Sequence, residues 1–198
     1  MGLVIVPKKR TKIIAIWKYF FLLVLLTSCG INKNIPIKYY SDNRQTLDSI
    51  QQLFLKTGER QKFSIGFIDN RFNCISIELI TDTLKYLYNF NTGESRISDT
   101  LSKFRIDGTG LLNLIRLMKS IQCIWISNID YYESEKKYTL TSFSIKPKRA
   151  KSFLLANRYY ILLYFPIIQN YKKNRLLGNN KIMKINARVA YTISAAFR

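Results

Sequence analysis

Residues 63–90 read FSIGFIDNRFNCISIELITDTLKYLYNF, and the fold turns on how this stretch is read. Phe63 to Asp69, Phe72 to Ile80 and Leu84 to Phe90 are runs of strand length rich in aromatic and β-branched residues. Between them stand Asp69-Asn70-Arg71 and Thr81-Asp82-Thr83, whose Asp, Asn and Thr side chains bond to nearby backbone and turn the chain. Connections this short join neighbouring strands in antiparallel fashion, because a parallel crossover needs about a dozen residues or more. Asn91-Thr92-Gly93 reads as the turn that ends the third run. The stretch therefore predicts a three-stranded antiparallel meander.

Working outward, Thr46 to Lys56 has helical periodicity. Leu47, Ile50, Leu53 and Phe54 fall at i, i+3, i+6 and i+7, polar residues stand between them, and Gly58 follows the end. On the other side, Leu111, Leu114, Ile115 and Met118 stripe a second helix from about Thr109 to Ser120. Arg116 and Lys119 lie near its C-terminal end, where the helix dipole favours cations. Asp107-Gly108-Thr109-Gly110 before that helix has something of a phosphate cradle. It lacks the full Walker or dinucleotide pattern, and helix-entry chemistry explains the residues better. Strand-like runs resume at Gln122 to Ile129, Tyr138 to Ile145, Tyr159 to Ile168 and Lys181 to Ser194. Ser152 to Gln169 is apolar enough to suggest a membrane segment, but Asn157, Arg158 and Pro166 interrupt it, and Tyr159 to Phe165 suits a strand. The order predicts an α+β domain: antiparallel β meanders of six to seven strands with two helices packed on one face.

Composition narrows the chemistry. The 198 residues are 47% apolar, enough to build a core, and they contain no histidine. That rules out Ser-His-Asp and Cys-His nucleophiles, His-ligated zinc and imidazole acid–base schemes. Three cysteines are too few for a disulfide scaffold or a four-thiolate metal site, and no metal or other cofactor is expected. Lys and Arg number 32 against 12 acids, a net +20, and the excess is uneven. Residues 29–135 hold all 12 acids against 13 Lys and Arg, whereas 136–198 hold 14 Lys and Arg and no acid. Three readings of that asymmetry stay open: an anionic partner, the A/T-rich codons of the abundant Ile, Lys, Asn and Tyr, or relaxed selection on the C-terminal part.

The N-terminus carries an address. Lys8, Lys9, Arg10, Lys12 and Lys18 form a basic leader, and Tyr19 to Leu26 then runs eight residues without a charge. This is shorter than the roughly 18–20 residues that span a bilayer, and it matches the n- and h-regions of a secretory signal. The run ends in Leu26-Thr27-Ser28-Cys29, which resembles the lipobox of bacterial lipoproteins. The resemblance covers only the signal. It implies that 1–28 is a signal peptide, with Leu26, Thr27 and Ser28 recognised by the peptidase. The Cys29 sulfur would take a diacylglyceryl group, and the new amino group would usually be acylated with palmitate-like chains. Two or three such chains hold a protein on a bilayer without a spanning helix. Gly30-Ile31-Asn32 follows, without the Asp that marks inner-membrane retention or an acidic surface-export cluster. By resemblance the default is the outer membrane, facing the periplasm. Residues 29–43 then read as a polar tether, and 44–198 as a single α+β domain whose 136–198 part is basic and acid-free.

Other constellations are weaker. Cys74 and Cys123 fall in strands of opposite halves. They read either as one disulfide closing a 50-residue loop or as two buried thiols. Asp130, Glu133 and Glu135 lie in Asn128 to Lys137, read as a hairpin connection. They lack an EF-hand pattern and suit a solvated turn better than a calcium loop. Nothing in the spacing of Glu78 and Asp82 makes a catalytic pair of them. Trp125, Tyr131 and Tyr132 read as core and hairpin packing. Lys146, Lys148, Arg149 and Lys151, with Lys172, Lys173 and Arg175, form two basic groups flanking the Tyr159 to Ile168 strand. They are candidates for contact with anionic lipid or lipopolysaccharide.

The leading function is a membrane-anchored envelope lipoprotein with a non-enzymatic binding or scaffolding domain, its first partner the bilayer reached through Cys29. An immunity lipoprotein that neutralises a toxin is the runner-up, with residues 128–135 as its acidic interface. A lipid-anchored hydrolase lacks a nucleophile motif. Nucleic acid is not an expected partner unless the lipobox is a false match.

Overall fold

The three runs of residues 63–90 are strands: β1 (Phe63–Phe67), β2 (Cys74–Ile80) and β3 (Lys85–Asn91), with β2 paired antiparallel to both of the others. The computed structural model describes residues 34–81, 83–133, 135–146, 159–166 and 182–194. Asp69 turns the chain between β1 and β2. Its carboxylate accepts from the backbone N–H groups of Arg71, Asn73 and Cys74 at 3.2, 2.9 and 2.8 Å, and Phe72 takes a φ of 58° within that turn. Desolvation works to raise the Asp69 carboxyl, but these backbone bonds outweigh it and hold the group below its ordinary range. The Asn91-Thr92-Gly93 turn is present, with Glu94 N–H donating to the Asn91 carbonyl at 3.0 Å and Gly93 at a φ of 94°.

The remaining elements are α1 (Asn34–Thr57), α2 (Arg96–Lys103), α3 (Gly108–Ser120), β4 (Cys123–Glu133), β5 (Lys136–Ile145), β6 (Tyr159–Tyr164), β7 (Met183–Lys184) and β8 (Val189–Ser194). They form one sheet of eight strands in the order β3-β2-β1-β4-β5-β6-β8-β7, antiparallel at every pairing. The fold is α+β, as expected, and the described residues hold one strand more than the expected six to seven and one helix more than two.

Both additions have local causes. The run Lys181 to Ser194, read as one strand, folds back at Asn186, whose side-chain oxygen accepts from the N–H groups of Arg188 and Val189 at 2.8 Å each. That turn splits the run into β7 and β8. α2 is eight residues long and buries only Ile97 and Leu101, one i, i+4 pair, too little to stand out as a stripe.

The long helix needs a correction. α1 starts at Asn34 rather than Thr46, so residues 35–43, assigned to a tether, belong to the folded unit that runs from Ile35 onward. Pro36 and Tyr40 are buried there, and the Tyr39 hydroxyl donates to the Ile121 carbonyl at 2.9 Å. Tertiary contacts supply what the polar local sequence does not. β4 and β5 also reach further than expected. Glu133 pairs with Lys136, so the connection read over Asn128 to Lys137 shrinks to two residues between strand ends, with Glu135 at a φ of 66°.

The three helices among the described residues pack on one face of the sheet. Leu47, Ile50 and Phe54 of α1, Ile97 and Leu101 of α2, and Leu111, Leu114, Ile115 and Met118 of α3 share one core with Ile65, Ile77, Ile126, Phe143 and Leu162. Strand alternation sends Ser64, Gly66, Ser76, Ser142, Ser144, Ala190 and Thr192 to the other face, where they are also buried. Tyr131, Leu140, Leu163 and Phe165 form a second, smaller cluster on that side. Trp125 lies against Gly66, where a Cβ would come within 2.3 Å of its ring.

Candidate functional site

A hollow with a coherent lining lies between α1 and the far half of the sheet. α1 contributes Tyr40, Arg44, Asp48, Gln51, Gln52 and Leu55. The spacing from Tyr40 through Arg44, Asp48, Gln51 and Leu55 keeps these side chains on one helix face, next to the stripe that is buried in the core. The sheet contributes one rung across three strands, with Thr139 of β5 beside it. Thr141 of β5 is registered with Tyr164 of β6, and Tyr164 with Val189 of β8. The turn before β8 closes the end with Asn186, Ala187 and Arg188. The groove encloses about 790 Å³, within the range of small-molecule sites.

Its polar groups are mostly neutral donors and acceptors. Asn186 donates through its side-chain nitrogen to the Tyr40 hydroxyl at 2.8 Å, and Thr141 donates to the Asn128 side-chain oxygen at 3.3 Å. The Tyr40 and Tyr164 rings meet edge to face at 6.2 Å, and Phe143 packs beneath Tyr164 at 4.9 Å. The Tyr164 hydroxyl is buried and has no hydrogen-bond partner among the described residues. Burial, reinforced by the negative charge of Asp48 and opposed by Arg44, pushes its ionisation upward, so it remains a neutral donor. Arg188 donates from Nε to the Phe165 carbonyl at 3.3 Å.

A smaller hollow of about 400 Å³ sits where α1 ends and α3 begins, lined by Lys56, Arg60 and Arg105 together with Glu59 and Asp107. Here Asp107-Gly108-Thr109-Gly110 is a helix entry. The Asp107 carboxylate accepts from Thr109 N–H at 3.0 Å and so takes the place at the helix N-terminus that a phosphate would need.

The residues singled out in the sequence are not brought together. Cys74 and Cys123 are both free thiols, correcting the disulfide reading. β1 stands between their strands, which sets them about two strand spacings, ~10 Å, apart and beyond the ~7 Å limit for bridging. Cys123 lies in the helix-side core, and burial pushes its thiol up to about 12, while Cys74 contacts the Asn91 side chain at 3.2 Å. Asp130 is no part of an open acidic loop. Lys137 Nζ lies 2.8 Å away, Thr139 Oγ1 2.6 Å and Lys62 Nζ 3.5 Å, so two cations stand where calcium would have to bind. Among the described residues no group of three or more potential ligands is placed to hold a metal. Glu78 is ion-paired with Lys85 at 2.7 Å, and Asp82 lies outside the described residues. Trp125 and Tyr131 are buried, as packing residues should be, whereas Tyr132 is exposed.

Leu26, Thr27, Ser28 and Cys29 lie outside the described residues, as do Lys148, Arg149, Lys151, Lys172, Lys173 and Arg175; Lys146 is exposed at the end of β5. Among the described residues no helix is long and apolar enough to cross a membrane. The groove escaped the sequence reading. Its one local trace is the polar i, i+4, i+8 row Tyr40, Arg44, Asp48, of which Tyr40 falls in the stretch assigned to the tether. No protein-family model, no curated protein and no solved structure matches this chain, so the groove is interpreted from its own geometry.

Proposed function

We propose that this chain is a lipid-anchored protein of the bacterial envelope, held at the periplasmic face of the outer membrane through acylated Cys29, whose α+β domain binds rather than transforms its partner. The lipobox-like Leu26-Thr27-Ser28-Cys29 behind a basic leader and a short apolar run supports the anchor. The lining of the groove carries the binding reading. Its polar side chains are amides, hydroxyls and two guanidiniums, with Asp48 the one carboxylate and no thiol among them. The lining hydroxyl that is bonded to a carboxylate is Thr139, on Asp130 at 2.6 Å, and Lys137 and Lys62 hold that carboxylate ionised and make it too weak a base to activate a nucleophile. The acid-free 136–198 part adds a further element to this proposal, contact of its basic groups with anionic headgroups or lipopolysaccharide phosphates beside the anchor.

Metabolic labelling with a palmitate analogue tests the anchor. The wild-type chain takes up label and is processed, while Cys29→Ala does neither. Labelling that persists in Cys29→Ala overturns the anchor and the location together.

A further inference from the structure

We propose that the groove between α1 and the Thr141–Tyr164–Val189 rung binds a small organic oxyanion, a carboxylate or phosphate carried on a body rich in hydroxyls or amides. The proposal rests on reading the folded domain as a binding module and is independent of the lipid anchor.

Charge is the first observation. Arg44 and Arg188 line the groove against the single carboxylate of Asp48, leaving it net positive. Arg44 and Asp48 stand one helical turn apart on α1, yet the ion pairs among the described residues include neither of them. Lys38 and Asp42, with the same spacing one and a half turns earlier, do pair, at 3.1 Å. Arg188 uses only its Nε, on the Phe165 carbonyl. Guanidinium forks not spent on protein carboxylates match the paired oxygens of a carboxylate or phosphate.

The second observation is independent of charge. Tyr164 is 5% exposed, and its hydroxyl lacks a partner at the floor of the same groove. A buried hydroxyl left unsatisfied is costly, and native structures seldom keep one without a reason. An oxygen of a ligand seated on the rung supplies the missing acceptor, with the wall above the hydroxyl yielding to admit it. Gln51 and Gln52 each offer donors and an acceptor to the ligand body, and Asp48 accepts from its hydroxyls. At about 790 Å³ the groove is far larger than a bare inorganic ion requires.

The test uses the full chain as purified in detergent micelles, titrated calorimetrically with glucuronate, glucose 6-phosphate and uncharged glucose. One of the two anions is expected to bind saturably and about tenfold or more tighter than glucose. Tighter binding of glucuronate identifies the charged group as a carboxylate, and tighter binding of glucose 6-phosphate identifies a phosphate. Arg44→Gln weakens that binding roughly tenfold, the usual scale for losing a charged hydrogen bond. Tyr164→Phe weakens it by a similar factor, while the ligand-free thermal midpoint stays level or rises, because the deleted hydroxyl had no partner. A hydroxyl with a purely structural role does the opposite, lowering the midpoint and sparing affinity. Failure of both anions to bind, equal binding of glucose, or wild-type affinity in both variants overturns the proposal. Acylation of Cys29 reads separately: label without anion binding removes this inference alone, and anion binding without label removes the anchor alone.

Discussion

A Cβ built on Gly66 stands 2.3 Å from the Ile124 carbonyl oxygen and 2.3 Å from Trp125 Cε3. Neither neighbour yields easily, since one is backbone and the other a ring 1% exposed. Gly66→Ala is therefore expected to lower stability by about 3 kcal/mol, the upper range for overpacking, read as a shift in the urea midpoint at constant slope. Gly108, at the start of α3, has open space around its Cβ position, so Gly108→Ala is expected to be neutral or slightly stabilising in the same assay. If the two variants unfold alike, the close approach of β1 to Trp125 is not a determinant of stability. Single residues differ in how far the sequence discloses them. Asp107 announces itself as a helix entry because an N-cap bonds only two or three residues ahead. Gly66 looks like any glycine in a strand, since the atoms that crowd it lie some sixty residues away.

At the level of elements, the β4–β5 hairpin ties Asp130 to its neighbours across the ladder. The hydrogen bond from Lys137 leads, then that from Thr139, with the charges of Lys62 and Lys137 adding to both, and together they hold the carboxyl down at about 2. A carboxyl whose folded value lies below its unfolded one stabilises the protein fully above the unfolded value and loses that contribution as pH falls through the folded one. Asp130 therefore supports the fold above about pH 4 and ceases to do so by about pH 2. Asp130→Asn is expected to be less stable than wild type at neutral pH and to lose less on acidification through that window, measured by urea midpoints between pH 5 and pH 2. Parallel pH profiles would show that the ion pairs are incidental. The sequence revealed these strands but not their ends, because a connection of only two residues offers so little polar sequence to read. Helix α1 shows the same limit. Its Leu47, Ile50 and Phe54 stripe was plain, whereas its first turns are held by Tyr39 and Tyr40 against residues more than eighty positions away.

Over the whole molecule, the net +20 is concentrated in residues 1–28 and 136–198. Each basic side chain near an anionic surface contributes about 1 kcal/mol and fades within a Debye length of about 8–10 Å. The groups around Lys146 and around Lys172 precede and follow β6, and the two ends of a strand point in opposite directions. Lys and Arg to Gln changes in one group are therefore expected to weaken salt-sensitive binding of the acyl-free protein to phosphatidylglycerol vesicles far more than changes in the other. Equal binding to anionic and neutral vesicles at low salt would leave codon usage as the better account of the charge.

The sequence by itself determined the α+β class, the first meander, the stripes of α1 and α3 and the absence of histidine chemistry, because each follows from residue type or from contacts within a few positions. Only the tertiary structure decided that β1 pairs with β4 to make one continuous sheet, that Cys74 and Cys123 stand two strands apart, and that α1 lies over the Thr141–Tyr164–Val189 rung. Those are questions of register between segments distant in the chain. Register is set by how buried faces match once they meet, and no local pattern of residues records it.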